Sequence, residues 1–240
     1  MRNFGKLALI AALAGIVAIS VIVFGARFGL WEPIVGYGLY RSYLNPLGAA
    51  VTVLGMLAMV VHAVRKERAG IAAGAIATVI GLVCMIPLMV STLNPPQRAA
   101  PIHDISTDTV NPPVFEVIDE TRAGARNTLD YGGAELASMQ ARAYPDIAPL
   151  ETDLSPDAAY ARTLEVAEDM RWEVVAEDAE RRRFEATART SVFYFADDVV
   201  VVTAQGDGAR VDMRGVSRVG RSDEGVNAAR IRAFQEKFSQ

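Results

Sequence analysis

The stretch WEVVAEDAERRRFEATARTSVFYFADDVVVVTAQGDGARVDM, residues 172–213, reads as a series of β-strands. Trp172, Val174 and Ala176 alternate with Glu173, Val175 and Glu177, and the polar residues 178–182 turn the chain back. Phe184, Ala186 and Ala188 then alternate with Glu185, Thr187 and Arg189, the period of a half-buried strand. Residues 199–202 are all valine, as in a central strand, with Asp197 and Asp198 as its polar edge. The Gly206-Asp207-Gly208 turn leads into a last strand with Val211 and Met213 on one face. A four-stranded antiparallel meander is expected.

Helical patterns flank these strands. After Gly132 and Gly133, Leu136, Met139 and Ala143 share a face that closes at Tyr144-Pro145. Ser155 caps a second helix with Pro156 at its first position, and Tyr160, Leu164, Ala167 and Met170 lie on one face. A last helix over about 223–238 buries Val226, Ile231, Phe234 and Phe238. Helices segregated from a meander make a two-layer α+β sandwich over residues 114–240. Residues 94–113, with prolines at 95, 96, 101, 112 and 113, read as a Pro-rich linker. Within it His103, Asp104 and Asp108 fall short of any metal-ligand spacing, and turn hydrogen bonds are expected of them.

Residues 1–93 are a different solvent problem. Apolar runs at 7–26, 47–64 and 69–93 are each long enough for a bilayer core of about 30 Å. Three transmembrane helices are therefore expected, the first retained because it exceeds the apolar core of a cleaved signal peptide. Arg2, Lys6, Arg65, Lys66 and Arg68 on one side outweigh Arg27, Arg41 and Arg98 on the other. The positive-inside rule then puts the N-terminus in the cytoplasm and the C-terminal domain in the periplasm. Phe28, Trp31, Tyr37, Tyr40 and Tyr43 in the first outer loop form an aromatic belt. Gly70 and Gly74, extended by Gly81, let helix backbones approach closely, among the spans of one chain or in a homo-oligomer. Cys84 has no partner for an intramolecular disulfide.

Net charge is +5 before Asn94 and −9 from there on, together the −4 of the whole chain. The acidic domain repels a phosphate backbone, which excludes nucleic-acid binding through bulk charge. Lys237 is the domain's one lysine, and no P-loop, dinucleotide fingerprint, nucleophile elbow or zinc set is present, so no catalytic residue, metal or cofactor is assigned. Residues 210–232 reverse the local sign: six arginines, at 210, 214, 218, 221, 230 and 232, stand against Asp212, Asp223 and Glu224. Ser222 or Asp223 caps the last helix, whose first-turn amides beside Arg218 and Arg221 make an anion cradle. The candidate anion-binding residues are Arg214, Ser217, Arg218, Arg221, Ser222, Asp223 and Asn227. The competing reading is that the arginines pair with acids of the same domain.

The segments GVSRVGRSDEGVNAARIRAF (215–234), AYPDIAPL (143–150), NPPVF (111–115) and the hairpin start Trp172-Glu173-Val174-Val175 resemble the bacterial and plastid family catalogued as domain of unknown function 1499. The resemblance spans roughly residues 101–240, and the preceding spans are similar to those of proteobacterial members. It implies an envelope protein of uncharacterised activity and brings no catalytic residue. Some members carry a cysteine motif near the start of the domain, where this chain has His103-Asp104-Ile105-Ser106. The leading expectation is an integral inner-membrane protein with a non-enzymatic domain that binds an envelope protein or an anionic ligand. The alternative is an envelope enzyme acting on a phosphorylated or carboxylated substrate at residues 210–232.

Overall fold

The computed structural model describes residues 3–95 and 99–240; Arg2, Pro96 and Arg98, used in the readings above, lie outside the described residues. The chain divides into two compact units.

The first unit is helical. Helix α1 (Phe4–Phe24) runs into a short 3-10 turn, Gly25–Phe28, and is followed by α2 (Pro33–Val64), α3 (Arg68–Cys84) and α4 (Ile86–Leu93). Two stretches, Phe4–Phe28 and Pro33–Val64, are long and apolar enough to cross a membrane; α3 and α4 meet that test only as a pair bent by 47°. Pro87 accounts for the bend, because it has no N–H to donate and its ring clashes with the carbonyl four residues back. The region between the first two apolar runs is mostly helix rather than the expected loop. Pro33 is preorganised for a first helical turn, so Tyr37, Tyr40 and Tyr43 lie on α2, and Pro46 sits inside that helix. Glycines form the seam between α2 and α3. A Cβ on Gly74 would lie 2.7 Å from the Gly55 carbonyl oxygen, and one on Gly81 would lie 2.6 Å from that of Gly48. Gly74 and Gly81 thus face α2 of their own chain.

The second unit is α+β, with its helices and strands in the order β1 (Asp104–Ser106), α5 (Gly133–Ala143), β2 (Leu150–Thr152), α6 (Pro156–Asp169), β3 (Glu173–Asp178), β4 (Arg183–Arg189), β5 (Ala196–Gly206), β6 (Gly208–Ser217) and α7 (Val226–Phe238). Its antiparallel sheet has six strands rather than the expected four. The order is β1-β6-β5-β4-β3, with β2 also paired to β6. β1 falls inside the stretch expected to be a linker, and Ile102, Asp104, Ile105 and Ser106 are buried. The edge of β1 is closed by a side chain: the Gln140 amide accepts from Ser106 N–H at 3.0 Å and donates to Ser106 C=O at 2.7 Å.

The register gives the sheet two faces. Phe184, Ala186 and Ala188 of β4, Val199 and Val201 of β5, and Val211 and Met213 of β6 pack with Val166, Ile231 and Phe234 into the apolar core beneath α6 and α7. Trp172 stacks on Phe234 with ring centroids 5.4 Å apart. The opposite face carries Arg183, Glu185 and Thr187 of β4, Asp198 and Val200 of β5, and Arg214 and Val216 of β6. These residues are also buried, which corrects the half-buried reading of β4. β3, in contrast, is an exposed edge with a bulge between Val174 and Ala176, and Val174 is 41% exposed.

Candidate functional site

The amides at the start of the last helix, expected to face an anion, are met by the chain itself. α7 starts at Val226, three residues later than its pattern suggests, because Gly225 takes a left-handed conformation at φ 83° that favours glycine. That turn folds the Asp223 carboxylate back over the helix start. Its Oδ1 accepts from Gly225 N–H at 2.9 Å and its Oδ2 from Asn227 N–H at 2.7 Å. A negative charge therefore already lies on the first-turn amides, where the helix dipole favours it. Burial pushes the Asp223 carboxyl above the usual carboxylate range, and the two amides oppose that shift. Ser222 caps locally: its hydroxyl accepts from Glu224 N–H at 3.1 Å and donates to Ala100 C=O at 2.8 Å.

Asn227 extends this network toward the sheet. Its amide donates to Ser217 Oγ at 2.9 Å and to His103 C=O at 3.3 Å, while Arg230 donates to its Oδ1. Arg230 also donates to Asp197 Oδ2 at 2.5 Å. Gly215 makes room for the amide, since a Cβ there would lie 2.8 Å from Asn227 Oδ1.

Arg214 and Arg218 project from the other face of the sheet. Arg214 holds Asp104 with a two-pronged fork, Nε to Oδ1 at 2.9 Å and Nη2 to Oδ2 at 2.8 Å. It also donates to the carbonyls of Pro113 and Leu129, and its guanidinium lies 5.5 and 5.3 Å from the ring centroids of Phe115 and Tyr131. Burial, with Asp104 nearby, pushes the Tyr131 phenol up to about 12, so the ring against the guanidinium is neutral at pH 7. Arg218 donates to Asp198 Oδ1 from Nε at 3.0 Å and Nη2 at 2.7 Å, to Thr187 Oγ1 at 3.0 Å, and to Ala123 C=O at 3.0 Å. Arg122 takes the other oxygen of Asp198 at 2.7 Å.

These charges hold a strap. Residues 107–132 contain no helix or strand, yet they cover the polar face of the sheet. An irregular segment of that length inside a compact domain needs partners for its backbone groups. Glu185 supplies acceptors to the amides of Glu116, Val117 and Ile118 at 2.7–3.3 Å, and Arg183 donates to Val114 C=O at 2.6 Å and to Glu185 Oε1 at 2.8 Å. Asp108 makes the turn bonds expected of it, accepting from Val110 and Asn111 N–H, both at 2.8 Å.

The seven candidate residues thus separate. Ser217, Asp223 and Asn227 form a buried network at the helix side, Arg214 and Arg218 pin the strap, Ser222 caps the Glu224 amide, and Arg221 is exposed in the connecting loop. Among the six arginines of residues 210–232, five are bonded to carboxylates of their own domain: Arg210 to Asp212 and Asp108, Arg214 to Asp104, Arg218 to Asp198, Arg230 to Asp197, and Arg232 to Asp146. Asp197 and Asp198 are not a solvated strand edge. As consecutive strand residues they point to opposite faces, and each meets its own arginine. The roles of Asp104, Asp198, Glu185 and Arg122 escape local patterning, because each has a partner 67 to 110 residues away: Arg214 for Asp104, the Ile118 amide for Glu185, and Asp198 and Arg122 for each other. Among the described residues, no group of three His, Cys, Asp or Glu side chains is arranged to hold a metal ion.

No curated protein matches the chain. A family model described as protein of unknown function (DUF1499) matches residues 104–238, from the first residue of β1 to the last of α7. The match covers the whole framework just described and more than half of the chain, which belongs to the DUF1499 family.

Proposed function

We propose that the protein is a three-span protein of the inner membrane that displays its α+β unit in the periplasm as a binding module of the cell envelope. Three spans follow if α3 and α4 together make the third, with the bend at Pro87 inside the bilayer. α2 is 32 residues long, about 48 Å, and exceeds a bilayer core of about 30 Å. Its first turns, with Tyr37, Tyr40 and Tyr43, then reach the interface where such rings settle. The excess of Lys and Arg at Arg2, Lys6, Arg65, Lys66 and Arg68 puts the start of α1 in the cytoplasm, and an odd number of spans puts the α+β unit on the other side.

The observation that carries the binding-module reading is the pairing of five of the six segment arginines with carboxylates of their own domain. Charges spent on closing a strap and a helix start support a framework that presents a surface. An anionic partner meets Arg221, which is exposed and is not among the five arginines bonded to carboxylates. The test of orientation uses the single native cysteine. In a Cys84→Ser background, Gln240→Cys should react with a membrane-impermeant maleimide on spheroplasts before lysis. Labelling that occurs only after lysis would overturn the periplasmic placement, because a cytoplasmic N-terminus and an odd span count could not then both hold.

A further inference from the structure

His62 is the buried ionisable side chain of the helical unit that none of the reasoning above uses. It lies in the last turn of α2 with 2% of its surface exposed. Its Nε2 accepts from the backbone N–H of Gly5 at 3.0 Å, so the ring proton is on Nδ1, which donates to Glu67 Oε2 at 2.5 Å. Gly5 is in the first turn of α1, whose opening amides have no partner within the helix, and the N-cap residue Asn3 makes no side-chain bond to them. The imidazole of α2 therefore caps α1. Glycines shape the socket: a Cβ on Gly70 would overlap the ring, and one on Gly5 would lie 3.2 Å from Nε2 and 2.8 Å from the Gly70 carbonyl oxygen. The start of α1, the end of α2 and the start of α3 thus converge on one imidazole.

We propose that His62 is a pH-sensitive latch on the start of α1. The neutral ring holds Gly5 N–H only while Nε2 has a free lone pair. A proton taken up from the solution on that side of the membrane turns Nε2 into a donor, so two N–H groups confront each other and the first turn of α1 is released. The charged residues that flank these three helix ends in the sequence are Lys6 on α1, Arg68 on α3, and Arg65, Lys66 and Glu67 in the turn between α2 and α3. Glu67 is the one bonded to the ring, and its other oxygen lies 3.6 Å from Arg65 Nε. The added proton thus finds a counter-charge already in place, and what it removes is the acceptor for Gly5.

Amide exchange of residues 3–12 in the full chain in detergent micelles, corrected for the chemical exchange rate at each pH, reads the latch directly. Between pH 7.5 and 5 the wild type should lose about fivefold or more in protection, the population change that one helix cap represents. His62→Gln, a neutral acceptor at every pH, should show no such step. Constant protection in the wild type, or the same loss in His62→Gln, would overturn the proposal. If His62→Gln does not fold, ring 15N shifts of the wild-type histidines decide. Nε2 of His62 must be the unprotonated nitrogen at pH 7.5, and the exchange step must follow its protonation. An Nε2 already protonated at pH 7.5, or an exchange step without ring titration, would also overturn it.

Discussion

Arg218 and Arg221 stand three residues apart and do opposite things. The side chain of Arg218 is 14% exposed and shares Asp198, which is 0% exposed, with Arg122. Removing one of the two arginines leaves a buried carboxylate half compensated, a change that costs on the order of 3 kcal/mol. Arg221→Ala removes an exposed side chain and should shift stability by less than about 0.5 kcal/mol. Urea denaturation of the two variants side by side checks this. Equal, small shifts would mean that Arg122 alone neutralises Asp198. Arg218→Lys should recover little, because one ammonium cannot reach Asp198, Thr187 and Ala123 together as the planar fork does. If a functional loss follows Arg221→Ala and not a change of stability, the exposed loop is the part that meets a partner.

At the scale of elements, the strap sets the limit of what local pattern reveals. Period-two alternation located β3, β4 and β6, the continuous valine run located β5, and the Ser155-Pro156 signal located α6, because each depends on residues within one turn or strand. β1 was hidden for the opposite reason. It has three residues, its charge is matched by Arg214 on β6, and its free edge is satisfied by Gln140 of α5, so nothing nearby marks it as a strand. The same logic concealed the burial of β4, where Arg183, Glu185 and Thr187 resemble a solvated face until the strap covers them. The arginine segment was legible as a cluster, but whether it stood free could not be read without Asp104, Asp197 and Asp198 in place. Glu185→Gln tests the strap as a unit. The variant turns an amide N–H2 toward donors that need acceptors, a loss of about 1–3 kcal/mol. Amide protection at residues 116–118 should fall and protease should cut within 107–132, while α6 and α7 stay protected. Parallel loss of protection in α6 and α7 would show that the strap does not open separately.

On the scale of the whole molecule, the α+β unit carries its own apolar core and a net charge of −9 from Asn94 onward, so the fragment 99–240 should fold and stay soluble without the helices. Its response to acid follows from its carboxylates. Six are held below their ordinary range: Asp108 by the Asn111 amide, Glu116 by Arg181, Asp119 by the Thr121 hydroxyl, Glu120 by the Leu129 amide, Asp146 by Arg232 and Asp178 by the Arg181 amide. For each, the stabilisation is present above the ordinary value, 3.8 for Asp or 4.5 for Glu, and is lost as pH falls through the lowered value, which for Asp146 is about 2. Asp223 has the opposite sign. Burial raises it, so its contribution is full below 3.8 and is lost as pH rises through its folded value. Six groups against one predict a urea midpoint that is level at neutral pH and falls between about 4.5 and 2. Apart from Asp108, the lowered groups are exposed or nearly so, and salt should flatten the fall. In Asp223→Asn the fall should steepen, because the one opposing group is gone. A fragment that aggregates on export would show that the unit needs the helices. A midpoint that rises on acidification would mean that the buried Asp223 outweighs the ion-paired surface.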